Sequence, residues 1–166
     1  MIRVAVDDDW PSILEVHRQA FVDQDIPRLI TDLRNGGYDV PSLSFVAVVD
    51  GRVVGNVMHS WSTVGGSDQR VLQLSPLGVL PEFQRQGHGS ALVRSALAGV
   101  LAFGEPLVLV EGNPAYYDRF GFVRADERGL LPPPSAPAPA FQVAVVDESR
   151  PIPQGRIAYA PPFDEI

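Results

Sequence analysis

The chain opens with a short alternation of apolar and polar positions, Ile2 to Val6, which is the period of a strand. Asp7 to Asp9 then offers N-cap carboxylates ahead of Trp10-Pro11, and Ile13, Leu14, Val16, His17 and Ala20 fall on one helical face. A first helix running to about Phe21 is predicted. A second, shorter helix is predicted from Ile26 to Leu33, stopped by Asn35-Gly36-Gly37. Phe45 to Val49 and Arg52 to Trp61 read as strands joined by Asp50-Gly51, the best two-residue hairpin signal in the chain. Gly65-Gly66-Ser67-Asp68 marks another turn, and Arg70 to Val79 completes an antiparallel meander.

Beyond the meander the period becomes helical. Gly87 to Phe103 places Leu92, Val93, Ala96, Leu97, Val100 and Leu101 at helical spacing, and Pro106 to Val110 is a continuous apolar run of the kind buried on both faces. Strand, helix and strand in this order predict a right-handed crossover between parallel strands. A short helix is predicted over Tyr116 to Phe120, with extended chain at Gly121-Phe122-Val123. Leu131 to Ala140 reads as a polyproline-type connector, Phe141 to Val146 as a further strand, and Arg156 to Tyr159 as an edge strand in a Pro-rich tail. No internal repeat and no second core is legible, so residues 1–166 are expected to form one domain.

Composition narrows the chemistry. The 166 residues are 45% hydrophobic and 20% charged, ordinary for one globular domain. There is no Cys, and all 13 basic residues are Arg. Disulfides, thiolate zinc sites, a Cys nucleophile, a phosphate-loop lysine and a Schiff base are thereby excluded. A net charge of -7 argues against broad nucleic-acid binding. The 3 histidines lack Glu-x-x-His spacing and give no metal site. Asp7 to Asp9, Asp23, Asp25 and Asp32 read as helix caps and solvated faces. No run approaches the ~20 apolar residues that cross a bilayer, and the expected location is the cytoplasm. The prolines cluster toward the C-terminus, so the last fifth must be organised differently from the rest.

The sharpest local feature is Gln84-Arg85-Gln86-Gly87-His88-Gly89-Ser90-Ala91, between an apolar strand and an amphipathic helix. Glycines let backbone approach a ligand, and the free N–H groups of a helix's first turn form an anion site suited to a pyrophosphate. Pro81 to Arg94 is locally positive in an acidic protein. Alone, the pattern would occur by chance in roughly one chain in six of this length. A dinucleotide-binding loop is the competing reading, since Glu111 ends the next strand at about the right distance. Against it stand Leu92 at the third glycine position, the six residues Pro81 to Gln86 between strand and loop, and the antiparallel meander ahead of the unit.

Leu77-Gly78-Val79-Leu80-Pro81-Glu82-Phe83 followed by this loop resembles the acetyl-CoA signature of the GNAT superfamily of N-acetyltransferases. Tyr117-Asp118-Arg119-Phe120-Gly121-Phe122 resembles that family's second signature. Asn113-Pro114-Ala115-Tyr116-Tyr117 and the tail Arg156 to Phe163 look closest to the YhbS-like bacterial branch. The likeness in motifs spans Leu72 to Phe122; before that it lies in the order of elements. It implies an α/β (α+β) fold with a mixed, mostly antiparallel twisted sheet of six to seven strands flanked by about four helices.

The resemblance also implies a division of labour. Leu77, Gly78 and Val79 would offer backbone groups to the pantetheine arm of acetyl-CoA or another acyl-CoA, as an added strand would. Arg85, Gln86, Gly87, His88, Gly89 and Ser90 would wrap its pyrophosphate, and Asn113 would touch the pantetheine. A β-bulge is expected near Pro76. Direct attack by an amine on the acyl-CoA agrees with the absence of Cys. Tyr117 is the candidate general acid, with Tyr116 as the other choice and packing as the plain role of either. Many relatives carry a Glu inside the strand where this chain has Val108, Leu109 and Val110. Glu111 at the strand's end is a candidate base, directly or through water, or else a solvated loop carboxylate. His59 is a second base candidate; His17 reads as a helix-surface or satisfied core residue. The acceptor amine is unspecified, a homodimer is the default, and a non-catalytic acyl-CoA-binding module is the alternative.

Overall fold

In a computed structural model describing residues 1–166, the predicted strands and helices follow in order, but the sheet has nine strands instead of six or seven, among them a two-residue strand at Leu130–Leu131 that no local pattern marked. The elements are β1 (Ile2–Val4), α1 (Trp10–Ala20), α2 (Ile26–Asn35), β2 (Phe45–Val49), β3 (Arg52–Val64), β4 (Arg70–Val79), α3 (His88–Phe103), β5 (Leu107–Glu111), α4 (Pro114–Tyr117), β6 (Val123–Arg124), β7 (Leu130–Leu131), β8 (Phe141–Val145) and β9 (Gly155–Ala158). The nine strands make a mixed, mostly antiparallel sheet with hydrogen-bonded order β1-β2-β3-β4-β5-β8-β6, and β9 joins β3 to β7. β4 and β5 pair in parallel at Leu72↔Val108 and Gln73↔Leu109, as the strand-helix-strand crossover requires. No helix is long and apolar enough to cross a membrane. Contacts group the chain into two units, one of Met1–Ser60, Ser75–Ala96 and Pro161–Ile166, the other of Trp61–Leu74 and Leu97–Ala160.

The first unit contains the start of the meander. Asp50 and Gly51 both adopt positive φ, the turn that matches strand twist in a two-residue hairpin. β3 is buried on both faces from Val54 to Ser60, so it carries no alternation and must satisfy its polar side chains internally. Asn56 does so by donating to Phe45 O at 2.9 Å. Asp25 caps α2 by accepting from Arg28 N at 3.2 Å. Asp9 departs from expectation: it stands at the N-cap of α1, yet its carboxylate turns back to accept two bonds from Arg3, at 2.7 and 2.9 Å, and one from Val6 N. A charge-assisted bidentate pair outcompetes a neutral backbone cap.

The second unit has its own core of Val64, Leu107, Leu109, Phe141, Val143 and Ile157, with Leu130 and Ala136. Two expectations are corrected in it. The stretch Leu131 to Ala140 is not a continuous polyproline connector: Ala136 N bonds Pro133 O and Ala140 N bonds Pro137 O, each at 3.0 Å, folding it into two turns. The φ that proline fixes suits a turn as well as an extended helix, and burial of Ala136 decides between them. β9 is also no edge strand. It pairs antiparallel with β3 at Thr63↔Ala158 and Val64↔Ile157, and in parallel with β7 at Leu130↔Gly155 and Leu131↔Arg156. That long-range partner is why β3 runs three residues past Trp61. Pro151, Pro153, Pro161 and Pro162 all lie outside the paired residues.

Candidate functional site

In the first unit, β4 leads through Leu80, whose N–H bonds Val54 O at 2.8 Å, into a 3₁₀ turn at Pro81–Phe83. The chain then reverses with Arg85 at φ 61 and Gly87 at φ 89. The left-handed conformation costs an L residue such as Arg roughly 1–2 kcal/mol, so the surrounding turn must hold it. Gln84 Nε2 donates to Val79 O at 3.0 Å and Gln86 Nε2 to Glu82 O at 3.1 Å. Arg52 pairs with Glu82 at 3.1 Å and lies over the Phe83 ring, whose edge meets His88. The first bond of α3 runs from Ala91 N to Gly87 O, so the N–H groups of His88 and Gly89 precede the helical ladder. Arg85, Gln86 and Gly87 are exposed; His88, Gly89 and Ser90 are half-buried. An exposed turn of this form with an arginine in it can bind an anion.

Leu77 and Val79 on β4 are half-buried, and Gly78 is buried. Gly78 has no room for a side chain, because an added Cβ would lie 2.7 Å from His17 Nδ1. His17 is fully buried, stacked on Phe21, and its Nε2 lies 2.8 Å from Asn56 Oδ1. Since the Asn56 amide nitrogen is a donor to Phe45 O, its oxygen accepts, and the His17 proton sits on Nε2. Nδ1 makes no hydrogen bond within the chain. His17 is thus a core residue satisfied on one side only. His59 is 1% exposed and donates through Nδ1 to Leu43 O at 2.7 Å. Burial pushes both imidazoles down to about 4, so both are neutral near pH 7. Elsewhere in this unit, the α1–α2 junction borders a groove of about 550 Å³ that includes Phe21, Val22, Asp23 and Asp25.

In the second unit, Glu111 ends β5 with an exposed carboxylate, opposite Phe141 of β8. Gly112 follows, fixed by its N–H to Ala140 O at 3.0 Å and its carbonyl to Gln142 Nε2 at 3.2 Å. A Cβ at Gly112 would lie 2.6 Å from the Tyr117 ring, so the backbone step there makes room for that ring. Asn113 Oδ1 accepts from Ala115 N at 3.0 Å and caps α4. Tyr117 is 9% exposed, packed edge-on against Tyr116 and Phe122, whereas Tyr116 is half-buried with Arg119 over its ring. Burial, with Tyr116 beside it, pushes the Tyr117 phenol well above the ordinary tyrosine value and keeps it protonated. The residue that sequence reasoning missed is Tyr159, whose hydroxyl donates to Glu111 Oε1 at 2.8 Å across 48 positions. No local pattern marks it; a Tyr just after a short strand in a Pro-rich tail was the only available cue.

Residues 1–125 match the family described as "Acetyltransferase (GNAT) domain". The chain is 35% identical over 144 residues to "Uncharacterized N-acetyltransferase YhbS" of Escherichia coli strain K12, covering 86% of this chain and 85% of that protein. Its fold matches the crystal structure of a GNAT family N-acetyltransferase (YhbS) from Escherichia coli in complex with CoA, with a TM-score of 0.89 and 32% identity over 99% of this chain and 91% of that one. It also matches a GNAT family acetyltransferase from Brucella melitensis in complex with acetyl-CoA, with a TM-score of 0.80 and 29% identity over 99% and 97% of the two chains. The likeness therefore extends well beyond Leu72 to Phe122 and takes in the C-terminal tail.

Proposed function

This chain belongs to the GNAT acetyltransferase family, and on that premise we propose that it transfers the acetyl group of acetyl-CoA to a primary amine by direct attack. The observation that carries the reading is the left-handed turn at Arg85 and Gly87, exposed immediately ahead of the start of α3. It is the anion-binding form that the diphosphate of a CoA ester needs, and two solved relatives hold CoA and acetyl-CoA. Arg85, Gln86, Gly87, His88, Gly89 and Ser90 bind the diphosphate, the backbone of Leu77, Gly78 and Val79 binds the pantetheine, and the Asn113 amide donates to it. The dinucleotide reading of the loop is set aside on the family match.

The chemistry requires a neutral amine, a bond from its nitrogen to the acetyl carbon, cleavage of the carbon–sulfur bond, and a proton for the departing thiolate. Glu111 takes the amine's proton directly or through one water. Tyr117 gives its proton to sulfur, a role supported by its place at the head of the Tyr117 to Phe122 string that resembles the family's second signature. The acceptor is an amine on a small molecule, a peptide or a protein. The second reading, binding without transfer, draws on the buried apolar run Val108, Leu109 and Val110. Both readings predict stabilisation by acetyl-CoA, about 2.7 kcal/mol at a hundredfold excess over Kd. Absence of a thermal shift sinks both. Release of free CoA thiol with a panel of alkylamines and lysine-containing peptides separates them, since only transfer produces it.

A further inference from the structure

We propose that Tyr159 is a positioning residue for Glu111, so that the C-terminal segment sets the geometry of the base from its place behind β9. The inference rests on the acyl-transfer reading with Glu111 as base. Its foundation is the bond from the Tyr159 hydroxyl to Glu111 Oε1 at 2.8 Å. A neutral phenol donating to a carboxylate makes a charge-assisted bond, roughly twice as strong as a neutral one. Burial and the neighbouring carboxylate both push the Tyr159 phenol far above its ordinary value, so it remains a donor throughout the working range.

The phenol is held from both ends of its chain. Ala158, directly before it, pairs with Thr63, and Ile157 pairs with Val64 while lying 1% exposed in the core. On the other side of β9, Gly155 and Arg156 pair with Leu130 and Leu131, and Arg156 donates to Pro132 O at 2.7 Å. Ala160, directly after it, is 5% exposed. The Tyr159 ring packs on Phe141, which is itself the register partner of Glu111 across β5 and β8. Phe141 therefore touches both the donor, through its ring, and the acceptor, through the strand register. Glu111 without this bond is an exposed side chain at a strand end with its full rotamer freedom. With Oε1 engaged, Oε2 is the oxygen that meets the amine or a water, in one orientation.

Tyr159→Phe removes one oxygen and keeps the ring contact, so the fold is checked by an unchanged circular-dichroism spectrum and an unchanged thermal shift with acetyl-CoA. With an amine from the panel that supports turnover, kcat is expected to fall about tenfold while KM for acetyl-CoA stays within twofold. In a Glu111→Gln background the same change should cost nothing further, because the group it positions has lost its function. Two equal multiplicative losses, or wild-type kcat in Tyr159→Phe, overturn the positioning role while leaving Glu111 as base. Full activity in Glu111→Gln overturns the base assignment and this inference with it. Crystal structures give a readout free of turnover: Glu111 in one rotamer in the wild type and spread over several in Tyr159→Phe supports the role, and an unchanged Glu111 side chain in the variant overturns it.

Discussion

The turn ahead of α3 and the end of β5 are built in opposite ways. The turn is closed mainly by contacts four or five residues apart, Gln84 to Val79, Gln86 to Glu82 and Ala91 to Gly87, with Arg52 on Glu82 and Val54 on Leu80 as its links to β3. Its binding groups are backbone N–H groups, and its shape is written in the φ angles of Arg85 and Gly87. The end of β5 is held by contacts 28 to 48 positions apart, Gly112 to Ala140, Gln142 to Gly112 and Tyr159 to Glu111. Its chemistry resides in side chains that separate strands bring together. A recognition element made of local backbone tolerates change in the rest of the fold. A proton-transfer element made of remote side chains does not, because each supporting strand must be in register before the donors and acceptors meet.

The sharpest test of this contrast is Tyr117→Phe. Removing a general acid should lower kcat by about 10² to 10³-fold and leave the thermal shift with acetyl-CoA unchanged, because recognition lies in the turn. A rise in KM with kcat intact would erase the distinction. Acid separates the two units next. Both buried neutral imidazoles, His17 and His59, belong to the first unit. Their folded values near 4 lie below the ordinary 6.5, so the stability they confer is complete above about pH 6.5 and is lost as pH falls toward 4. The loss amounts to about 3 kcal/mol for each. Native-state hydrogen exchange at pH 5 should therefore show protection declining in residues 1–60 before residues 107–145; a uniform decline would show that the units respond as one. The smallest effect is expected in the turn itself. Gly87→Ala meets open space but a positive φ, costing about 1–2 kcal/mol, which should raise KM for acetyl-CoA about tenfold with kcat nearly unchanged in steady-state kinetics.

The same contrast explains what was legible. β4, the turn and α3 were readable because apolar period, glycine placement and helix start are all local properties. The hairpin at Asp50-Gly51 was readable for the same reason. His17 looked like an ordinary member of an apolar helical face; that its ring would be bound on one side by Asn56 and abut Gly78 depends on residues 39 and 61 positions away. The proline segment misled because the same fixed φ serves two conformations, and only burial of Ala136 selects the turns. β9 was found but misjudged as an edge, since its partners Thr63, Val64, Leu130 and Leu131 lie far from it in the chain. Tyr159 figures in the sequence only as the end of an expected edge strand and as part of the tail, and its link to Glu111 is invisible without the sheet register.

The double pairing of β9 also bears on solubility. Each residue of β9 has a partner, Gly155 and Arg156 on β7 and Ile157 and Ala158 on β3, and prolines stand just outside its two ends, where they cannot extend a ladder. Loss of the segment would uncover bonding groups at Thr63-Val64 and at Leu130-Leu131 together, within apolar surroundings. Such bare edges are templates for another copy of the chain, so in the folded protein β9 covers bonding groups that would otherwise invite self-association.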